Sequence, residues 1–487
     1  MARHSTVAII ALLLSCAAPA RAQPANNDFA IDLFQGPVLA PTRVVAMGGA
    51  YAGYAEGIAG FVTNAASPAV REPSSVSWFD QAIDASISIP LTIFENNDFD
   101  NSGDLDADYS SFLYLSAGGL LQAGPFGAGF FGDLQRYQLA FEPDGEENAV
   151  TVGRYHLLFG WHFFGGQLNT GLGGRALTLG ISAPGTELTI AGASPQVGFL
   201  VRPDWTPFRF GATYRHAVTA ATSSGSGART DAQGIVRAGR LIVPDRVELP
   251  WEVELGTALQ VGPRPLNPQW IDPDDHEKEL RDSYVARARK RRSDLDKKLA
   301  VVPAGPARER LRQRLLLRDA EIARAEEVRM EADLEHLKEE RRARARNWPR
   351  EAVLLTLDLL ITGNVENAIH LERFLAQGQT LVLETECVAV ASGENVSFSP
   401  RFGVEMEPLP NWLHTRFGTY YEPQRFRYQP ERCNDRVGRQ HFTFGADVKL
   451  LSTTWWGVVS EVTYTLQAYG DLASRYQSFG GGIGVWH

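Results

Sequence analysis

The chain has little cysteine: three residues among 487. One of them, Cys16, lies in the leading apolar stretch, so only Cys387 and Cys433 remain for the body of the protein. That excludes a disulfide-dense small fold, and no CxxC pair is present to frame a metal site. Basic charge is not in excess either. With 47 Lys and Arg against 57 Asp and Glu, the formal net charge is -10, which gives no support for nucleic-acid binding. No apolar run beyond the N-terminus is long enough for a helix to cross a bilayer, which excludes a polytopic helical membrane protein. Signatures of covalent catalysis are missing: there is no GxSxG and no HExxH. An enzyme would need a nucleophile, a base and a stabilised oxyanion. No motif supplies them, so neither catalytic residues nor a resident cofactor are expected.

What the chain does have is glycine, with 46 residues, and aromatics, with 25 Phe, 14 Tyr and 10 Trp, a mix that suits β-structure. Apolar and polar residues alternate with period two in several stretches. In YHLLFGWHFF, Tyr155, Leu157, Phe159, Trp161 and Phe163 share one face, with His156 and His162 opposite. QHFTFGADVKLL, WEVELGTALQV and QAIDASISI repeat the pattern. A β-sandwich shows the same alternation, but its strands average about five or six residues. These runs reach about ten, the length a tilted strand needs to cross a bilayer. Aromatics gather at their ends, as at Trp455 and Trp456, where barrels carry interfacial girdles. The leading segment has a polar start at Arg3 and His4, the apolar core VAIIALLL, and Ala20-Arg21-Ala22 as a cleavage site, and reads as a signal peptide over 1–22. Export plus long amphipathic strands predicts an all-β fold: a transmembrane antiparallel β-barrel in the outer membrane of a Gram-negative bacterium, touching lipid on its outer face.

Two stretches nearly repeat each other. SPQVGFLVRPDWTPFRFGATYR starts at Ser194, and SPRFGVEMEPLPNWLHTRFGTYYEP starts at Ser399. Each reads as a strand, a Pro/Trp turn and a strand back. This signature, together with APTRVVAMGGAYAGYAEGIAGFVTNAASPAV, resembles the long-chain fatty acid transporter family of the outer membrane, the FadL family, to which PorV-like barrels are related. Arg43, Met47, Gly48, Gly49 and Ala50 match that family's first block; Asn64 and Pro68 fall in its last. Glu56 followed by Gly57 stands where the family often has an acidic pair. The resemblance implies about fourteen strands, an N-terminal plug over 23–78, and Arg43, Met47, Gly48, Gly49, Asn64 and Pro68 on the ligand path. It implies passive uptake of hydrophobic molecules such as long-chain fatty acids. Strands laid on the sequence also number fourteen, for example near 126–141, 150–163, 208–217 and 413–422, with eight over 79–263 and six over 350–487.

Strand parity assigns the remaining features to sides of the membrane. A charged insertion over 264–349 reads as a helical hairpin broken at PAGP, residues 303–306, and hangs on the periplasmic side. Residues 272–347 are either a solvated insertion or a dock for a periplasmic protein partner, which would make the barrel a scaffold. Cys387 and Cys433 fall in two outer loops, where an oxidising setting predicts a disulfide. DFDNSGDLDAD places Asp98, Asp100, Ser102 and Asp106 at spacings that resemble a calcium loop, although the closing Glu is absent; a solvated acidic loop is the alternative. Arg154, His156, His162 and Arg175 are expected to face the lumen.

Overall fold

The computed structural model describes residues 26–72, 75, 77–90, 98–99, 101, 108–141, 147–222, 228–377, 391–426, 438–455 and 459–486. Fourteen antiparallel strands close into a barrel. In chain order the wall is β1 (Phe79–Pro90), β2 (Asp108–Ala123), β3 (Phe126–Ala140), β4 (Asn148–Phe163), β5 (Leu168–Ala183), β6 (Thr186–Val201), β7 (Phe208–Arg215), β8 (Glu252–Val261), β9 (Val353–Thr362), β10 (Ser397–Leu409), β11 (Leu413–Pro423), β12 (Gly438–Trp455), β13 (Val459–Ala473) and β14 (Tyr476–Trp486). Sequential strands pair throughout, and β14 closes on β1 with Ala82 opposite Trp486. Closure leaves no edge with unpaired backbone groups, which hydrocarbon could not satisfy. Period-two alternation turns one set of side chains outward. On β1, Ile83, Ile87 and Ile89 are exposed while Ser86 and Ser88 are buried against the lumen. No helix among the described residues is long and apolar enough to cross a membrane.

One end of the barrel has short turns, such as Gly124-Pro125 and residues 410–412; the other carries the long connections 216–251 and 363–396. At this loop end the connections build a lid. Ala30–Asp32, near the N-terminus, pairs in parallel with both Arg246–Leu249 and Ala368–His370, and Val218–Ala221 completes a four-stranded sheet. Asn27 ties it to a second, three-stranded sheet by donating to the carbonyls of Val236 and Val243 at 2.8 Å each. Beneath the lid the inward faces of β3–β6 are apolar: Leu139, Val150, Val152, Leu177, Leu179 and Ile190 pack against Ile31, Val218 and Val247. Inward positions are apolar here because they meet protein rather than water.

Within 23–78 the structure separates two parts. Residues 26–34 belong to the lid. Residues 35–72 run down the lumen as an inner segment with one short helix, Thr42–Ala46, and two 3-10 turns. At the turn end Arg71 fastens it, donating to the carbonyls of Gly124 at 3.0 Å and Trp78 at 2.6 Å and pairing with Asp80 at 2.6 Å.

The insertion after β8 forms α1 (Pro273–Ala300) and α2 (Pro306–Arg346), joined by a turn through Gly305. Asp272 caps α1 by accepting from the Asp274 N–H at 2.9 Å, with Pro273 just inside the start. The helices pair through Arg291 with Asp319 at 3.2 Å, Arg341 with Glu277 at 2.7 Å, and the Tyr284 hydroxyl with Asp333. Their root is pinned to the turn end. Asn267 donates to the carbonyls of Pro203, Thr206 and Phe208, and Arg71 lies 4.5 Å over the Trp270 ring. Because Val261 and Val353 are already opposed across β8 and β9, replacing 271–347 by a short linker is expected to leave the barrel folded. The measurement is heat-dependent gel mobility in detergent, which should be unchanged.

Candidate lumen site

The near-repeat of the two hairpins has its reason in how the wall holds the inner segment. Their inward glycines lie where that backbone touches the wall. A Cβ on Gly198 would come within 2.6 Å of Asn64 Oδ1, and one on Gly211 within 2.1 Å of the Ala52 carbonyl oxygen. In the second hairpin, a Cβ on Gly403 would lie 2.7 Å from the Met47 carbonyl oxygen and one on Gly418 2.3 Å from the Gly48 nitrogen. The contact recurs at Gly127, Gly171 and Gly445, so missing side chains form a collar around the inner segment. Gly48 itself has a φ of 62°, a left-handed turn that brings it against Thr419.

Charged pairs lock the same segment. Arg209 is fully buried and pairs with Glu56 at 2.8 Å while donating to the carbonyls of Tyr54 and Leu266 and to Asn267 Oδ1. Arg43 forms a two-pronged pair with Glu405, at 2.7 and 2.9 Å. Glu405 is shared with Arg416, which also holds Asp447. Arg43, Glu56, Glu405, Arg416 and Asp447 line a chamber of about 300 Å³ on the turn-end side. Glu72 borders it too; burial, reinforced by the nearby Glu56 charge, pushes the Glu72 carboxyl up to about 7. An acid held above its unfolded value stabilises the folded state at low pH and loses that contribution as pH rises through about 7. Glu72→Gln should therefore flatten the fall in urea stability between about pH 5 and 7.

Above the inner segment lies a second, smaller chamber of about 110 Å³. Arg154, Arg175, Arg215 and Arg401 line it against Asp133, Glu252 and Glu254. The pairs are Arg154–Asp133 at 2.9 Å, Arg175–Glu252 at 2.8 Å, Arg215–Glu254 at 2.7 Å and Arg401–Glu254 at 3.1 Å. The Arg401 Nε is buried with no hydrogen-bond partner among the described residues. The lumen thus changes character along its length: apolar under the lid, ionic in the middle, filled by the inner segment below. A much larger hollow, about 1420 Å³, is lined by outward side chains such as Ile87, Phe130 and Leu157 together with the inward residues Ser86, Ser116, Asp133, His156 and Arg175 of the same strands.

The sequence-chosen residues divide among these places. Arg154, His156 and Arg175 meet at the upper chamber, with His156 Nδ1 near Gln196 at 3.1–3.3 Å. His162 is inward but stands apart at the turn end, edge-on to Trp270 at 5.2 Å. Asn64 donates to the carbonyls of Ala52 and Phe199, and the Pro68 carbonyl accepts from Gln122 at 2.8 Å. Met47 is fully buried. Cys387, Cys433, Asp100, Ser102 and Asp106 lie outside the described residues, as does any disulfide or calcium loop they would make. Of the calcium set only Asp98 is described; its carbonyl accepts from Arg439 at 2.6 Å. Among the described residues no cluster of three His, Cys, Asp or Glu could hold a metal ion. Sequence reading missed Asp133, Arg215 and Arg401, although each carries a charge at an inward-parity position. It also missed His441, buried between Glu422 at 2.6 Å and Asp471 at 2.8 Å.

No family model and no curated protein matches the chain. Solved structures do. The chain is similar to the CymD monoaromatic hydrocarbon channel, at 7% identity and a TM-score of 0.44, over 93% of this chain and 98% of that one. It is similar to the P. putida toluene transporter TodX at 8% identity and a TM-score of 0.43, over 94% and 98%. Pseudomonas aeruginosa OccK11 follows at 8% and 0.24, over 84% and 94%.

Proposed function

We propose that this chain is an outer-membrane barrel that admits small hydrophobic and amphipathic molecules, with residues 35–72 as its plug. The short-turn end then faces the periplasm, as in other barrels of this membrane. The observation that carries the reading is the polarity gradient of the lumen. An apolar zone under the lid suits a hydrocarbon chain, and the arginine-lined chamber below it suits a carboxylate head, with the unpartnered Arg401 Nε as its first donor. Long-chain fatty acids have both parts. Such solutes cross the polar outer leaflet poorly, and passage needs no covalent chemistry. In this reading the lid must part locally, because its core closes the mouth at rest.

The test is uptake of labelled oleate and of toluene by cells that express the chain and lack their own transporters. Uptake above the empty-vector control is expected for both. Arg401→Gln should lower oleate uptake by about tenfold, the worth of one charge-assisted hydrogen bond, and leave toluene uptake unchanged. No uptake of either would refute the proposal. The rooted helical hairpin favours one other reading, a scaffold; absence of uptake above the empty-vector control, together with a co-purifying protein partner, would support it.

A further inference from the structure

The charges of the helical hairpin are segregated along its length. Between Arg287 and Arg318, around the tip, twelve Arg and Lys stand against three Asp and Glu. In the flanks nearer the barrel, 272–286 and 319–346, nine basic residues stand against fifteen acidic ones. Solvation alone does not require this sorting; a mixed distribution would serve equally. Ten of the twelve basic side chains at the tip are exposed. Among them stand exposed apolar residues: Val301 at 85%, Leu317 at 69% and Leu316 at 49%. Basic residues interleaved with exposed aliphatic ones are the pattern of an anionic-lipid contact, in which charge attracts and aliphatic side chains enter the headgroup boundary. None of the three hollows described above is lined by tip residues, so none of them offers the tip a shaped apolar groove for an acidic protein.

The root decides where this patch can act. It is fixed at the turn end by Asn267, Trp270 and Arg71. A 28-residue α1 carries the tip about 42 Å along its own axis at 1.5 Å per residue. We infer that the hairpin tip binds the surface of a second, anionic phospholipid bilayer facing the turn end of the barrel. The binding is electrostatic, with Leu316, Leu317 and Val301 shallowly inserted. It does not depend on what passes through the lumen.

The test uses the full chain in nanodiscs of phosphatidylcholine, mixed with vesicles that hold about one-third phosphatidylglycerol. Co-flotation with these vesicles is expected, and none with pure phosphatidylcholine vesicles. Salt at about 0.5 M should abolish it. The fourfold variant Lys297→Glu, Lys298→Glu, Arg310→Glu, Arg312→Glu changes only exposed positions and should reduce capture at least about tenfold. Leu316→Ser with Leu317→Ser should reduce it about threefold. Heat-dependent gel mobility checks that each variant is folded. The inference is overturned if anionic vesicles are not captured, if neutral vesicles are captured equally, or if charge reversal has no effect. Retention of a soluble acidic protein in place of vesicles would also overturn it.

Discussion

Gly127→Leu is expected to unseat the inner segment and open the pore. A Cβ at this position would sit 1.7 Å from the Pro68 carbonyl oxygen and 2.4 Å from its carbon. Both obstacles are backbone, so no rotamer change relieves the clash; either the wall or the inner segment must move. The wall strand is held by ladders on both sides, with Gly127 opposite Gln122 on one and Gly160 on the other. The inner segment around Pro68 has a 3-10 turn of three residues and is the weaker party. Overpacking of this kind costs about 3 kcal/mol or more locally. In planar bilayers the wild-type barrel should show almost no conductance, and Gly127→Leu a large open current with faster proteolysis of 35–72. Gly174 is the control, because a Cβ there meets only the Ser194 carbonyl oxygen at 3.7 Å. Gly174→Ala should behave as wild type. Equal silence of both variants in folded barrels would show that the collar does not hold the plug.

Arg209→Met is expected to cost about 3–5 kcal/mol of stability, the penalty for stripping one partner from a buried ion pair. The side chain joins three parts of the molecule: strand β7, the inner segment through Glu56 and the Tyr54 carbonyl, and the hairpin root through the Leu266 carbonyl and Asn267. Its removal leaves the Glu56 carboxylate buried without a cation, and two carbonyls without their donor. Urea unfolding in lipid should therefore shift to markedly lower midpoint. Adding Glu56→Gln should restore part of the loss, since the neutral amide no longer needs a counter-charge. If the double variant is as unstable as Arg209→Met alone, the penalty comes from the carbonyls and not from the stranded charge.

Much of the barrel was legible in the sequence. The stretch near 126–141 is β3 at Phe126–Ala140, and that near 413–422 is β11 at Leu413–Pro423. The two helices fall on either side of PAGP, with Pro306 opening the second. The lid was not legible. Its strands are two to four residues long, too short to show a period, and Ala30–Asp32 finds its partners more than two hundred residues away. The inner ion pairs were half legible: parity marks Arg209, Arg215, Glu252 and Glu254 as inward, but not whom they meet.

By itself the sequence determined which face of each strand is greasy, how many strands there are and where the helices interrupt them. These are local properties, written by spacing of two and 3.6 residues along the backbone. Tertiary structure alone decided that the inward glycines form a collar, that Arg209 answers Glu56 from 153 residues away, and that apolar side chains pack beneath the lid. Those are pairings across a closed cylinder. They depend on shear and on how a separate segment threads the lumen, and no periodicity along the chain encodes either.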